Sequence, residues 1–106
     1  VDSIPTSAGQ EDHVSMGNAS GLKALVVLGN AERALAIELL AGTQAIEFLA
    51  PLEPGPGVRA THDAVRELSE RLRDDRSLAD DIERVADAIR DGSIVAAAES
   101  VVGPLR

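Results

Sequence analysis

Cysteine, tryptophan and tyrosine are absent from the 106 residues, and Phe48 is the one aromatic side chain. Without cysteine there are no disulfides, no thiolate metal sites and no cysteine nucleophile, and the lack fits a cytoplasmic protein. Basic residues are scarce too: 10 Lys and Arg face 18 Asp and Glu, a formal charge of −8. Such a surface repels phosphate backbones, so nucleic acid is not an expected partner. The nearest basic run, 71–76, is broken by Asp74 and Asp75. The two histidines, His13 and His62, fall on separate predicted elements, so no metal site is expected. Residues 35–52 come closest to a membrane span, but Glu38 and Glu47 interrupt them. A charge at bilayer depth costs about 2.5–3.5 kcal/mol on insertion scales, and a buried helix of a soluble protein is the better reading. The first ten residues lack the basic start and apolar stretch of a signal peptide. The start at Val1 rather than Met reads as that of a processed or excised piece.

What the chain does have is aliphatic bulk: 44% of it is hydrophobic, nearly all Leu, Val, Ile and Ala. That composition suits helix packing, and no segment has the alternation of a strand. The class predicted is all-α: a long central helix, then two or three shorter ones, one domain overall and part of a larger helical bundle. Residues 1–16 read as an irregular loop, with Pro5 and the turn-formers Ser3, Thr6, Ser7 and Gly9. Residues 17–49 contain no proline and predict one helix of roughly 45 Å at 1.5 Å per residue. Gly21, Gly29 and Gly42 each weaken it by up to about 1 kcal/mol unless they permit a close approach or a kink.

The apolar residues of that helix do not keep to one stripe. Leu22, Leu25, Val26, Val27, Leu28, Leu35, Ile37, Leu39, Leu40, Ile46 and Leu49 spread around the wheel. A helix apolar nearly all round belongs in a large bundle or a subunit interface. Self-association through it is therefore expected.

Residues 50–57 hold three prolines and two glycines and form a stiff connector. The C-terminal segment, 58–106, begins with a helix predicted over 58–72, its stripe made by Val58, Val65, Leu68 and Leu72. Glu67 and Arg71 stand there in the favourable four-residue order. A third helix is predicted over 78–90, with Ser77 as N-cap, Asp80 and Asp81 near its positive end, and Leu78, Ile82, Val85, Ala86 and Ile89 facing inward. Gly92 is its expected stop, and Ser93 the cap of a short last helix to about Val101.

The densest run of chemically able side chains is Gln10-Glu11-Asp12-His13. Glu11 can act as a base or hold a substrate amine, and His13 can move protons near neutral pH. On spacing alone a local role is the better reading: acidic groups stabilise a helix N-terminus, and Ser7 with Gln10 has capping-box spacing.

The run from Ser3 through Gly17, with Gln10-Glu11-Asp12-His13-Val14-Ser15-Met16-Gly17 at its heart, resembles the signature of the histidine ammonia-lyases, within the aromatic amino acid ammonia-lyases. The resemblance continues through residues 35–40 and 44–46, through Pro51-Leu52-Glu53-Pro54, Asp75-Arg76 and Asp81-Ile82-Glu83, and closes with Ala98-Glu99-Ser100 and Gly103-Pro104-Leu105. It covers nearly the whole chain.

The resemblance implies a helical homotetramer that removes ammonia from an amino acid, L-histidine giving urocanate. Its electrophile is a methylidene-imidazolone group made from an internal Ala-Ser-Gly. Gln10 and Glu11 match substrate-binding positions, with Glu11 also the catalytic residue; Asp12 and His13 match the signature as structural support. The family's glycine-rich loop in its N-terminal half has no counterpart here, and neither has its catalytic tyrosine. Ala19-Ser20-Gly21 is a literal match to the precursor triplet, but it follows the signature at the start of a predicted helix and is read as coincidence. The group is thus expected elsewhere in the parent sequence, and this chain alone is expected to be inert, with the N-terminal half of a lyase as its partner. Two other readings stay open: an independent self-associating helical module, and a piece of a tyrosine or phenylalanine lyase or aminomutase.

Overall fold

The computed structural model describes the backbone of residues 9–106 and the side chains of residues 17–106; the stretch expected to be irregular before Gly9 lies outside them. Four helices follow in order: α1 (Gly9–Glu47), α2 (Pro56–Leu68), α3 (Ala79–Arg90) and α4 (Ser93–Val102), with no strand among the described residues. The all-α class is as expected from the pattern.

Helix α1 begins earlier than the predicted start at Gly17, so residues 9–16 are helical rather than a loop. Glu11 and Asp12 thereby fall in its first turn, where negative charge offsets the exposed N–H groups. The helix ends as its hydrogen bonds tighten: Leu49 N–H donates to Ile46 O at 3.0 Å and Ala50 N–H to Glu47 O at 3.4 Å. Pro51, joined to Ala50 by a cis peptide, then removes the next donor. A Cβ at Gly21 or Gly42 would meet no atom within 4 Å, so neither glycine serves a close approach among the described residues.

The described residues fall into two compact units, one ending at Ala31 and the other spanning Glu32–Arg106. In the first, Leu22, Leu25, Val26, Val27 and Leu28 are all exposed, Leu25 to 66%. The second has a core. Ala36, Val65, Val85, Ala86, Ala88 and Ile94 are buried, and Leu39, Leu40, Leu68, Ile82 and Ile89 pack against them. The stripe predicted for α3 is largely this one. Small residues dominate the centre, which brings helix backbones close; a Cβ on Gly57 in α2 would stand 3.0 Å from Val102 of α4.

Helix α2 begins at Pro56, at the position where a missing N–H costs nothing, and stops at Leu68 instead of Leu72. Ser69 turns extended (φ −150°, ψ 126°), so Leu72 lies in the following loop and Arg71 is no longer one turn from Glu67. The N-cap of α3 is Leu78 rather than Ser77, although Ala79 N–H reaches the Ser77 hydroxyl at 3.4 Å. Gly92, at φ 84°, ends α3 as expected and also caps α4. Ser93, the predicted cap of α4, is its first residue instead; its hydroxyl donates to Ala88 O at 3.2 Å.

Candidate functional site

Gln10, Glu11, Asp12 and His13 stand on the opening turns of α1, one after another on a helix that carries them as a rigid series. Their side chains, and so the proposed substrate contacts of Gln10 and Glu11, lie outside the described residues. Ala19, Ser20 and Gly21 sit within the same helix, with Ser20 and Gly21 exposed. Forming the imidazolone ring requires the Gly21 nitrogen to attack the Ala19 carbonyl carbon. In a helix that carbonyl points toward the C-terminus while the Gly21 N–H points the other way. These residues do not fit the group.

The second unit organises its charges around two carboxylates, Glu47, which is half-buried, and Asp81, which is buried. Glu47, at the last turn of α1, receives Arg66 of α2 as a fork: Nε donates to Oε2 at 2.8 Å and Nη2 to Oε1 at 2.9 Å. His62 Nε2 lies 2.6 Å from Oε2, and its Nδ1 lies 2.9 Å from Asp63 Oδ1. The Arg66 hydrogen bonds, with help from His62 and against the cost of burial, hold the Glu47 carboxyl down at about 2. His62 is therefore occupied by carboxylates on both ring nitrogens. Among the described residues no cluster of three metal-ligating side chains occurs.

Asp81 in the first turn of α3 is 3% exposed. Arg76 donates to both of its oxygens at 3.0 Å, Arg84 Nη2 to Oδ1 at 3.1 Å, and the Ser69 hydroxyl to Oδ2. The Arg76 bonds are the largest cause that lowers this carboxyl to about 2, burial opposing them. Asp81 stands in the first turn of α3, near its positive end, as expected, and the clamp also ties the loop after α2 to α3. Gln44 pins the same loop: its amide donates to Leu72 O and accepts from Leu72 N–H, both at 3.0 Å. Arg90 further joins α3 to α1 through Glu32, at 2.9 Å.

These partners were hidden from sequence reasoning because they lie far apart, 15 and 19 residues for His62 and Arg66 to Glu47. The only signal was that Asp75-Arg76 and Asp81-Ile82-Glu83 belong to the motifs of the resemblance. Beside Gln44 an apolar cavity of about 390 Å³ opens, lined by residues that include Ile37, Leu40, Phe48, Leu72 and Ile82. No helix among the described residues is long and apolar enough to cross a membrane.

A run of helices with no strand among the described residues, the longest headed by Gln-Glu-Asp-His-Val-Ser-Met-Gly, fits one class of protein: the chain belongs to the aromatic amino acid lyase family, whose family model matches residues 1–67. Within it, the chain is similar to histidine ammonia-lyases. That of Symbiobacterium thermophilum is 52% identical over 99% of this chain and 21% of its own length. The histidine ammonia-lyase of Natranaerobius thermophilus is 48% identical over 100% of the chain and 21% of its own length. That of Streptomyces avermitilis is 49% identical, again over 99% and 21%. The chain thus spans about a fifth of the length of the curated relatives it matches. No solved structure gives a significant match.

Proposed function

We propose that the chain is the C-terminal segment of an enzyme that deaminates L-histidine non-oxidatively to urocanate and ammonia, in the cytoplasm and in histidine catabolism. The observation that carries the reading is identity near one half, along the whole chain, to enzymes named histidine ammonia-lyase. In this reading Gln10 hydrogen-bonds the substrate, and Glu11 engages its amine or takes part in proton transfer. Placed two to three residues into α1, both are held by a helix rather than by a loop. The electrophilic methylidene-imidazolone is supplied by sequence outside these residues, because Ala19-Ser20-Gly21 is helical.

The exposed apolar band from Leu22 to Leu28 supports the remaining part: burial against other copies and against the N-terminal half of the lyase, as a homotetramer. Without those partners the chain is inert. The test is to follow urocanate absorbance in the full-length enzyme and its Glu11→Gln variant. A general base typically contributes about 10²–10⁴-fold, so kcat/KM is expected to drop by that order. Unchanged kinetics would remove Glu11 from the site, and turnover by the 106-residue chain alone would overturn its inertness.

A further inference from the structure

Around the Pro51–Pro54 connector the second unit gathers basic groups against the trend of an acidic chain. A depression of about 590 Å³ is bordered by Arg59, His62, Arg66, Arg71 and Arg73, with Glu47 and Glu53 as its acidic members. Four guanidinium groups face two carboxylates there, while the whole chain carries −8. The distribution of bonds matters more than the count. Glu47 is already filled by Arg66 and His62, and Arg71 Nε stands off at 3.7 Å from it. Among the described residues Glu53 is held by a single 3.4 Å bond from Arg59. Arg71 makes no hydrogen bond among the described residues; its guanidinium lies over the Phe48 ring, 5.2 Å from the centroid. Stacking occupies the flat face of the group and leaves the in-plane donors unused. Arg73 has neither hydrogen bond nor ion pair among the described residues. Glu70, Asp74 and Asp75 border the adjoining depression with these two arginines, and among the described residues none of the three pairs with either.

We infer that this depression is an oxyanion site, in which Arg71 and Arg73, with Arg59 at the rim, bind a carboxylate or phosphate-type group. Two adjacent guanidinium forks match the paired oxygens of such a group, which a lysine ammonium cannot do. The Phe48 stack places the Arg71 guanidinium at the wall of the depression. The oxyanion comes from one of two sources, a free small anion or an acidic side chain of another copy.

The experiment titrates inorganic phosphate into the 106-residue chain at low ionic strength, reading arginine Nε–H NMR shifts, with sedimentation run in parallel. The variants are the double change Arg71→Gln with Arg73→Gln, and Arg106→Gln as a control; circular dichroism checks that each folds. Saturable shifts at Arg59, Arg71 and Arg73, weakened at least tenfold by the double change and not by the control, support the free-anion form. No phosphate response, but self-association weakened at least tenfold by the double change alone, supports the protein carboxylate. Shifts that are unsaturable and spread over all arginines, or no effect in either measurement, overturn the site.

Discussion

Leu25 and Val65 draw on the same aliphatic alphabet and both sit in helices, yet one is 66% exposed and the other 0%. The difference is what the chain brings back to each. From Glu32 onward, α1 is followed by three helices whose small inward residues close over Ala36 and Val85. Before Ala31, the described residues include nothing that covers Leu22 to Leu28. Apolar content alone therefore does not separate a core from an interface; the supply of covering chain does.

The sharpest break of that comparison places an aspartate on either side of it. Val65→Asp puts an unpartnered charge into the centre of the second unit. It should cost more than about 4 kcal/mol, enough to abolish cooperative unfolding by urea. A variant that still melts in one transition near the parent midpoint would show that the small-residue core is not what holds the unit together.

Next in size is Asp81→Ala. It strands Arg76 and Arg84 and frees the Ser69 hydroxyl, but both arginines remain partly in water. The expected loss is about 2–3 kcal/mol, below the range for fully buried pairs. Asp80→Ala, at an exposed neighbour, should change the urea midpoint by less than about 0.5 kcal/mol. Equal effects would mean that Asp81 acts only through the helix end.

Acid tests both carboxylates at once. Glu47 and Asp81 are held at about 2 in the folded chain, below their ordinary 4.5 and 3.8. The unfolded chain therefore takes up protons first as pH falls. The stability they contribute is whole above the ordinary values and is lost as pH drops toward 2, on the order of 2–3 kcal/mol from each. Urea midpoints should fall steeply over that window, and Glu47→Gln should flatten the fall by about one proton. A parent whose midpoint does not change with pH there would remove the pairs from the stability account.

The same two networks show what was legible in the sequence. The helical class, the break after α1, the stripe of α3 and the stop at Gly92 follow from local pattern: proline placement, spacing, and a backbone that needs positive φ. The end of α2 did not. Leu72 completes the apolar spacing, but Ser69 leaves the helix for Asp81, and Arg84 Nε takes Leu68 O at 2.8 Å. Ties across 12 and 16 residues override propensity and leave no local mark. The start of α1 is obscured for the opposite reason: turn-forming residues lie directly before an acidic run that is itself helical. For the candidate site, Gln10 and Glu11 were legible through the signature motif alone, since an acidic run at a helix start has a local explanation too.

The smallest expected effect is the most informative about function. Val26→Asp changes an already exposed position, so the urea midpoint of the second unit should stay within about 0.5 kcal/mol of the parent. If the band from Leu22 to Leu28 is an interface, the same change should nevertheless disperse the oligomer, because a charge within an apolar contact loses its water without gaining a partner. Sedimentation of parent and variant separates the two consequences. Stability untouched with assembly lost assigns the band to other chains. A parent that is already a soluble monomer at high concentration would instead leave the exposed leucines and valines unexplained, and would count against burial in a larger enzyme.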